Sequence, residues 1–496
     1  MDISRRHLMV QGALFAATAG CAALLDEASA QSALPERKSL ADLPLNDPVM
    51  EALRDAVRRM KATPDRLGWS SLASIHGTSS GFNRCPHGNW YFLPWHRGYL
   101  LMYERLIRNL TNFPQFALPY WDWSRNRQLP EAFAQARWGG SDNPLYEPSR
   151  VVTPMESLPD EFVGPAVMSE VFGAAAFEQF GTSRPSGQNS TDPSWITRRT
   201  GVQGKLEQTP HNNVHTFIGG LMGSARSSLD PIFHMHHCNI DRIWAVWRST
   251  GHQDSADQLW LDMRFQNHFF NVDGSAFSPS VKELLDPAPL GYSYGLGAPA
   301  LEASPAVGAL ASLVTQVLAG RQEGPGIRTF RTTAAANAEP GGALQAPVSL
   351  DAALLSQVVR RPSPPAGEIT ADFKTLQEFA ARGTRALVTL RNIHVTDSER
   401  LIYRVFVDCD YLSPSTPITD NHYAGTFGFF GDHAGHGDDR PSVVLDVTST
   451  LKRLYGSTAS VPDSIRVQVL PVARGNTAPT GGTVTIEKVE VAFVST

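Results

Sequence analysis

From about Asp47 to Leu296 apolar residues recur at three- and four-residue spacing. In "WHRGYLLMYERLIRNL", Tyr99, Tyr103, Leu106 and Leu110 fall on one side of a helix, and in "HHCNIDRIWAVW" Ile240, Trp244 and Trp247 do the same. Both read as helices with one buried face. Pro- and Gly-rich stretches such as "GTSRPSGQNSTDPSW" separate such segments as loops. From about Thr384 the period falls to two. "RALVTLRNI", "RLIYRVFVD", "SVVLDV", "SIRVQVL" and "TVTIEKVEVAFV" alternate β-branched and polar residues between turn residues, which is the pattern of strands. Together they predict a C-terminal β-sandwich over 381–496. Between the two textures, "AAANAEPGGALQAP" and "RRPSPPAGE" read as linker, over 299–380.

At 496 residues the chain is too long for one ordinary core, in keeping with that division. With 18% charged residues and a net charge of −5 it offers no basic field for nucleic acid or anionic lipid, so neither partner is expected. The first thirty residues differ from the rest. Arg5 and Arg6 precede a short apolar run, and Ala28–Ala30 supply small residues suited to cleavage. This resembles a twin-arginine signal, 1–30, for export of an already folded protein to the periplasm or beyond. The mature chain then starts near Gln31, within a core domain of 31–298, with no membrane anchor. Cys21 makes a poor lipoprotein site because Thr18 stands where a bulky aliphatic residue belongs. The remaining cysteines, Cys85, Cys238 and Cys409, are too few and too scattered for a disulfide framework.

Histidine supplies 15 residues, yet "LDPIFHMHHCNIDRIWAVW" holds three within four positions, His234, His236 and His237. His211 and His215 in "PHNNVH" precede it, and His76, His87 and His96 form an earlier group. A pair four residues apart puts both imidazoles on one helix face, the spacing that a single metal ion needs. Phe92 precedes His96 by four, Phe233 precedes His237 by four, and Asp241 follows His237 by four, placed to accept a proton from an imidazole. Two triads of imidazole with no carboxylate and no H-E-x-x-H argue against a zinc hydrolase and for two copper ions sharing O2. His252, His268 and His394 read as ordinary core or surface residues.

"CPHGNWYFLPWHRGYLLMYE", "LEQTPHNNVHTFIGG" and "DPIFHMHHCNIDRIW" together resemble the two copper-binding regions of the type-3 copper proteins: tyrosinases, catechol oxidases and haemocyanins. "LGYSY", ending at Tyr294, resembles the tyrosine motif that closes the core of plant polyphenol oxidases. "NHYAGTFGFFGDHAG" and the following strands resemble their appended sandwich. The resemblance implies a mainly α fold, in which a four-helix-bundle dicopper core precedes the β-sandwich. It implies His76, His87 and His96 on the first copper and His211, His215 and His237 on the second, with His236 pointing elsewhere and His234 without a role. It also implies a thioether joining Cys85 to His87, with a buried free thiol as the alternative. Cys238 reads as a small buried residue on the ligand helix.

Enzymes of this family use O2 to oxidise phenols, and the resemblance implies small phenolic substrates here. Glu207 falls where relatives keep a carboxylate that holds a water, and Asn212 where many tyrosinases complete that hold. Ser224 falls where some relatives carry a bulky side chain over one copper, so a serine leaves access open. These three features favour a tyrosinase, which hydroxylates monophenols and oxidises o-diphenols. A catechol oxidase and a haemocyanin-like O2 carrier stand as the alternatives. Phe427, Phe429 and Phe430 are either plugs over the entrance or ordinary sandwich core. Export in the folded state implies copper loading beforehand, with the assistance of a helper protein.

Overall fold

Helix Pro48–Ala62 begins where the Asp47 carboxylate accepts the Val49 amide and a proline takes the first position. Its Met50, Leu53, Val57 and Met60 stripe is buried. Helix Phe92–Thr111 is buried along most of its length, Tyr99, Tyr103 and Leu106 included, and ends at Asn112 in the left-handed conformation (φ 49°). Helix Ile232–Ser249 packs against it, and Trp69–His76 and Asn212–Ile218 complete the histidine-bearing helices. This computed structural model describes residues 34–296, 304–332, 334–338, 342–360, 383–396, 401–429, 431, 439–479, 481 and 483–496. The export signal and Phe430 lie outside those residues.

The expected class, mainly α, is corrected: helix accounts for 35% and strand for 22%, so the protein is a mixed α and β structure. Strands beyond about residue 320 form two sheets. In one, Val202–Gln203, Ser442–Asp446, Thr384–Val395, Val484–Ser495, Ile327–Arg331 and Glu323–Gly324 lie side by side, with Ala336–Ala338 also paired to Val484–Ser495. The other orders Leu344–Ser349, Ser464–Ala473, Leu401–Val407 and Tyr423–Gly428. The segment read as linker thus carries helix Pro305–Leu318 and several strands. In Leu344–Ser349 burial alternates residue by residue, with Leu344, Ala346 and Val348 inward and Gln345, Pro347 and Ser349 outward. Among the described residues no helix is long and apolar enough to cross a membrane.

The sheets grip the helical part directly. Val202 and Gln203 pair in parallel with Ser442 and Val443, and the buried Arg404 guanidinium holds both oxygens of Glu161 at 2.6 and 2.8 Å. Gln208 donates to the Val444 carbonyl at 2.6 Å, Thr209 to Thr426 at 2.7 Å and Thr216 to Phe429 at 3.2 Å. Segment 203–216, which carries two of the histidines, is therefore hydrogen-bonded to the sheets along most of its length.

Candidate metal centre

His76 ends its helix, His96 lies early in Phe92–Thr111, and His236 and His237 lie early in Ile232–Ser249. His211 closes a wide helical turn, Glu207–His211, that leads into His215 on the next helix. Pro210 lies inside that turn and has no amide hydrogen to give, which favours the widened ladder. The rings form two groups. His76, His87 and His96 stand 5.5 to 5.8 Å apart between centroids, and His211, His215 and His237 stand 4.7 to 5.5 Å apart. The groups face each other: His96 stacks on His237 at 4.2 Å, and His87 lies 5.6 Å from His211. Phe92 packs on His96 at 4.9 Å and Phe233 on His237 at 4.1 Å. Ligand-capable atoms of His76, Cys85, His87 and His96 lie within 4.8 Å of one another, as do those of His211, His215, His236 and His237.

Hydrogen bonds set which ring nitrogen is bare. Nδ1 of His76 donates to the Ala225 carbonyl at 3.1 Å, that of His96 to Phe92 at 2.8 Å and that of His215 to Met222 at 2.8 Å. Nδ1 of His211 donates to Oδ1 of Asn212 at 2.8 Å. A neutral ring that donates from Nδ1 keeps its lone pair on Nε2, the arrangement that metal-binding histidines need. His236 is opposite. Its Nδ1 accepts the Trp123 indole at 3.1 Å, so its proton sits on Nε2. Contrary to expectation the His236 ring does turn toward the second group, 4.9 Å from His215, but with a hydrogen rather than a lone pair presented.

Burial pushes His76 down to about 3 and holds His87, His96, His211, His215 and His237 well below the usual histidine range. All are neutral at pH 7. Among the described residues Nε2 of His76 and Nδ1 of His237 have no hydrogen-bond partner, and Nε2 of His215 and His237 approach to 3.3 Å. Two such nitrogens directed at each other, inside a wall of neutral imidazoles, fit a cation of the copper type.

Glu207 is fully buried. It accepts the Gly88 amide at 2.7 Å, the Thr182 hydroxyl, and the Gln203 amide at 3.3 Å. Burial raises it to about 7, against the lowering effect of those bonds and of the Arg199 charge. Gln203 then accepts Nδ2 of Asn212 at 3.3 Å, so Glu207, Gln203, Asn212 and His211 form one hydrogen-bonded chain.

Asp241 requires correction. It meets no imidazole: its carboxylate takes Arg97 at 2.6 Å, Arg37 at 3.1 Å and the Tyr292 and Tyr294 hydroxyls. Burial raises its pKa, but Arg97 and Arg37 outweigh that and hold it below the usual carboxylate range. The partners come from segments before and after the helix, which helical spacing alone does not anticipate. Ser224 bonds within its own turn, to the Leu221 carbonyl at 2.9 Å. Phe427 and Phe429 are buried in the sandwich core, 5.1 and 6.0 Å from the Tyr403 ring. His234 faces away from the clusters, 4.1 Å from Tyr103 and 5.2 Å from Trp69. The Cys85 sulfur lies 3.7 and 3.8 Å from the two His87 nitrogens and 3.3 Å from Nε2 of His96; Cys238 and Cys409 are buried free thiols. Gln203, Thr182 and Trp123 carry no local signal in the sequence.

Residues 66–250 match the family described as the common central domain of tyrosinase. A tyrosinase of Hahella sp. (strain CCB-MM4) is 27% identical over 460 residues, covering 87% of this chain and 90% of that protein. The chloroplastic catechol oxidase B of Solanum tuberosum is 26% identical over 467 residues, covering 86% and 71%. Latent apple tyrosinase shares the fold with a TM-score of 0.62 at 22% identity, over 94% of this chain and 98% of that one. Residues 66–250 are thus similar to the tyrosinase central domain and carry two histidine clusters suited to copper, in a chain similar over most of its length to a tyrosinase and a catechol oxidase.

Proposed function

We propose that this protein is a tyrosinase, which hydroxylates monophenols at the ortho position and oxidises o-diphenols to o-quinones with O2. The observation that carries this reading is the buried Glu207 carboxyl, raised to about 7 and linked through Gln203 to Asn212 beside His211. A phenol ionises near ~10, so a base of that strength hydrogen-bonded toward the second cluster helps to deliver a phenolate near neutral pH. His76, His87 and His96 would hold one copper, and His211, His215 and His237 the second. Once bound, the pair would supply O2 binding and two-electron oxidation. The backbone carbonyls of Ala225, Phe92 and Met222 keep three of those rings in the ligating tautomer.

One observation favours a catechol oxidase instead. Asn212 gives its Nδ2 to the Gly428 carbonyl at 2.8 Å as well as to Gln203, which engages the amide that would help to hold a water. The relatives include both a tyrosinase and a catechol oxidase. The sulfur of Cys85 lies 3.7 and 3.8 Å from the two nitrogens of the His87 ring, a closeness that supports a thioether there. The bond would form with loss of the thiol hydrogen, one ring C–H hydrogen and two electrons to O2. The Arg5–Arg6 leader supports export by the twin-arginine route to the periplasm or medium, with copper loaded earlier by a helper protein.

Oxygen uptake by the copper-loaded protein with tyrosine as sole substrate tests the reading. Uptake with quinone formation is expected. Uptake with an o-diphenol alone would leave the catechol oxidase.

A further inference from the structure

Arg199 is buried, 4% exposed, with its guanidinium over the face of Phe82 at 4.6 Å from the ring centroid. Phe82 stands 4.4 Å from the His87 ring and 5.3 Å from the His76 ring. One aromatic ring therefore separates a fixed positive charge from the first histidine cluster. That charge reaches the cluster, being among the influences that hold His76 and His87 low.

Nε and Nη1 of Arg199 have no hydrogen-bond partner among the described residues. Two carboxylates lie near enough to act on its charge, and neither takes these hydrogens. Asp439 accepts the Arg198 side chain and the Arg199 backbone amide, each at 3.3 Å. Glu207 accepts Gly88, Thr182 and Gln203. A buried guanidinium with two idle nitrogens is costly, and burial lowers its pKa to about 10 in spite of the neighbouring anions. Either of these nitrogens together with Nη2 presents an edge of the planar guanidinium that matches a carboxylate, which it can bind through two parallel hydrogen bonds.

We propose that Arg199 binds the carboxylate of the substrate, making the preferred substrates phenols that carry an acid group on the ring side chain. The aromatic ring of such a phenolic acid lies toward the histidine clusters and its acid group reaches back past Phe82. This names a substrate class for the phenol-oxidising site and rests on that reading of it.

Benzoate, titrated calorimetrically into the metal-free full-length protein, probes the acid subsite without any reaction. Wild type binds it, Arg199→Gln binds it at least about tenfold more weakly, and Arg199→Lys falls between, keeping the charge but losing the fork. Benzamide, of the same shape without the charge, shows no such difference. With copper loaded, the ratio of kcat/KM for 3-(4-hydroxyphenyl)propanoate to that for its methyl ester falls about tenfold in Arg199→Gln, through KM. Absence of benzoate binding to wild type, or equal affinity and an equal ratio in the variants, overturns the assignment. Copper-loaded protein that oxidises no phenol, acidic or neutral, while benzoate still depends on Arg199, sinks the phenol oxidase reading and leaves the anion site standing.

Discussion

The side-chain amide of Asn212 joins the histidine cluster to the C-terminal sheet: Oδ1 accepts from His211 at 2.8 Å and Nδ2 donates to the Gly428 carbonyl at 2.8 Å. The contact depends on glycine. A Cβ at Gly428 would fall 2.1 Å from Oδ1 of the buried Asn213, closer than any real carbon stands. Gly428→Ala should therefore force the strand away from the histidine segment and destabilise the protein by about 1–3 kcal/mol, as overpacking does. Calorimetry should show a melting point several degrees lower; an unchanged one would mean that the strand moves freely there.

Glu207 makes the copper-free protein sensitive to pH. Its pKa rises from the usual 4.5 to about 7 on folding, so between those values the folded protein holds a proton that the unfolded chain has released. Stability is then greatest below about pH 4.5 as far as this group is concerned and is lost as pH rises through about 7, on the order of 3 kcal/mol in all. Glu207→Gln should remove that dependence, measured as urea unfolding midpoints across pH. In the copper-loaded enzyme the same variant should reduce monophenol oxidation about tenfold or more and diphenol oxidation less. Equal losses would assign Glu207 a purely structural role.

Asp241 lies between two buried guanidiniums, Arg97 and Arg37, of which, among the described residues, only Arg37 has a second paired carboxylate, Glu104 at 2.8 Å. Asp241→Ala leaves Arg97 buried over the Trp244 ring without its paired carboxylate. Breaking a buried pair in this way costs about 3–5 kcal/mol. Soluble yield and melting point should both fall, and a variant as stable as wild type would show that water reaches the site.

The proposed Cys85–His87 bond would have a direct signature. Peptide mass spectrometry of the copper-loaded protein should find the two residues joined, lighter by two hydrogens, and Cys85 unreactive to alkylation after denaturation. Full alkylation would leave the buried thiol.

Helical spacing made much of the centre legible. Phe92 with His96 and Phe233 with His237 are pairs four apart on helices, and each aromatic ring packs on its histidine as a turn of helix requires. What spacing cannot convey is partnership across the chain. Glu207 and Gly88 are 119 positions apart, and Asp241 and Arg37 are 204 apart. Gln203, which joins Glu207 to Asn212, lies in a two-residue strand held by Ser442–Asp446 on one side and by Thr182 and Ser183 on the other, pairings that two residues cannot announce. Pro210, inside "TPHNN", was the one local sign that the helix before His215 opens into a wider turn.

His236 and His237 are adjacent, both buried, and both turned to the second cluster, so composition and distance do not separate them. The tautomer does. Trp123 donates its indole hydrogen to Nδ1 of His236, so a neutral His236 has its own hydrogen on Nε2 and no lone pair for a metal. His237 makes no such bond: its Nδ1 lacks a partner and its Nε2 lies 3.3 Å from Nε2 of His215. His237→Ala should hold one copper per chain and His236→Asn two, by elemental analysis of protein loaded and then dialysed against a weak chelator. Trp123→Phe removes the donor, frees the His236 tautomer and should lower activity while leaving two coppers bound. Should His236→Asn lose a copper while His237→Ala keeps both, the ligand is His236 and the indole hydrogen bond must break on metal binding.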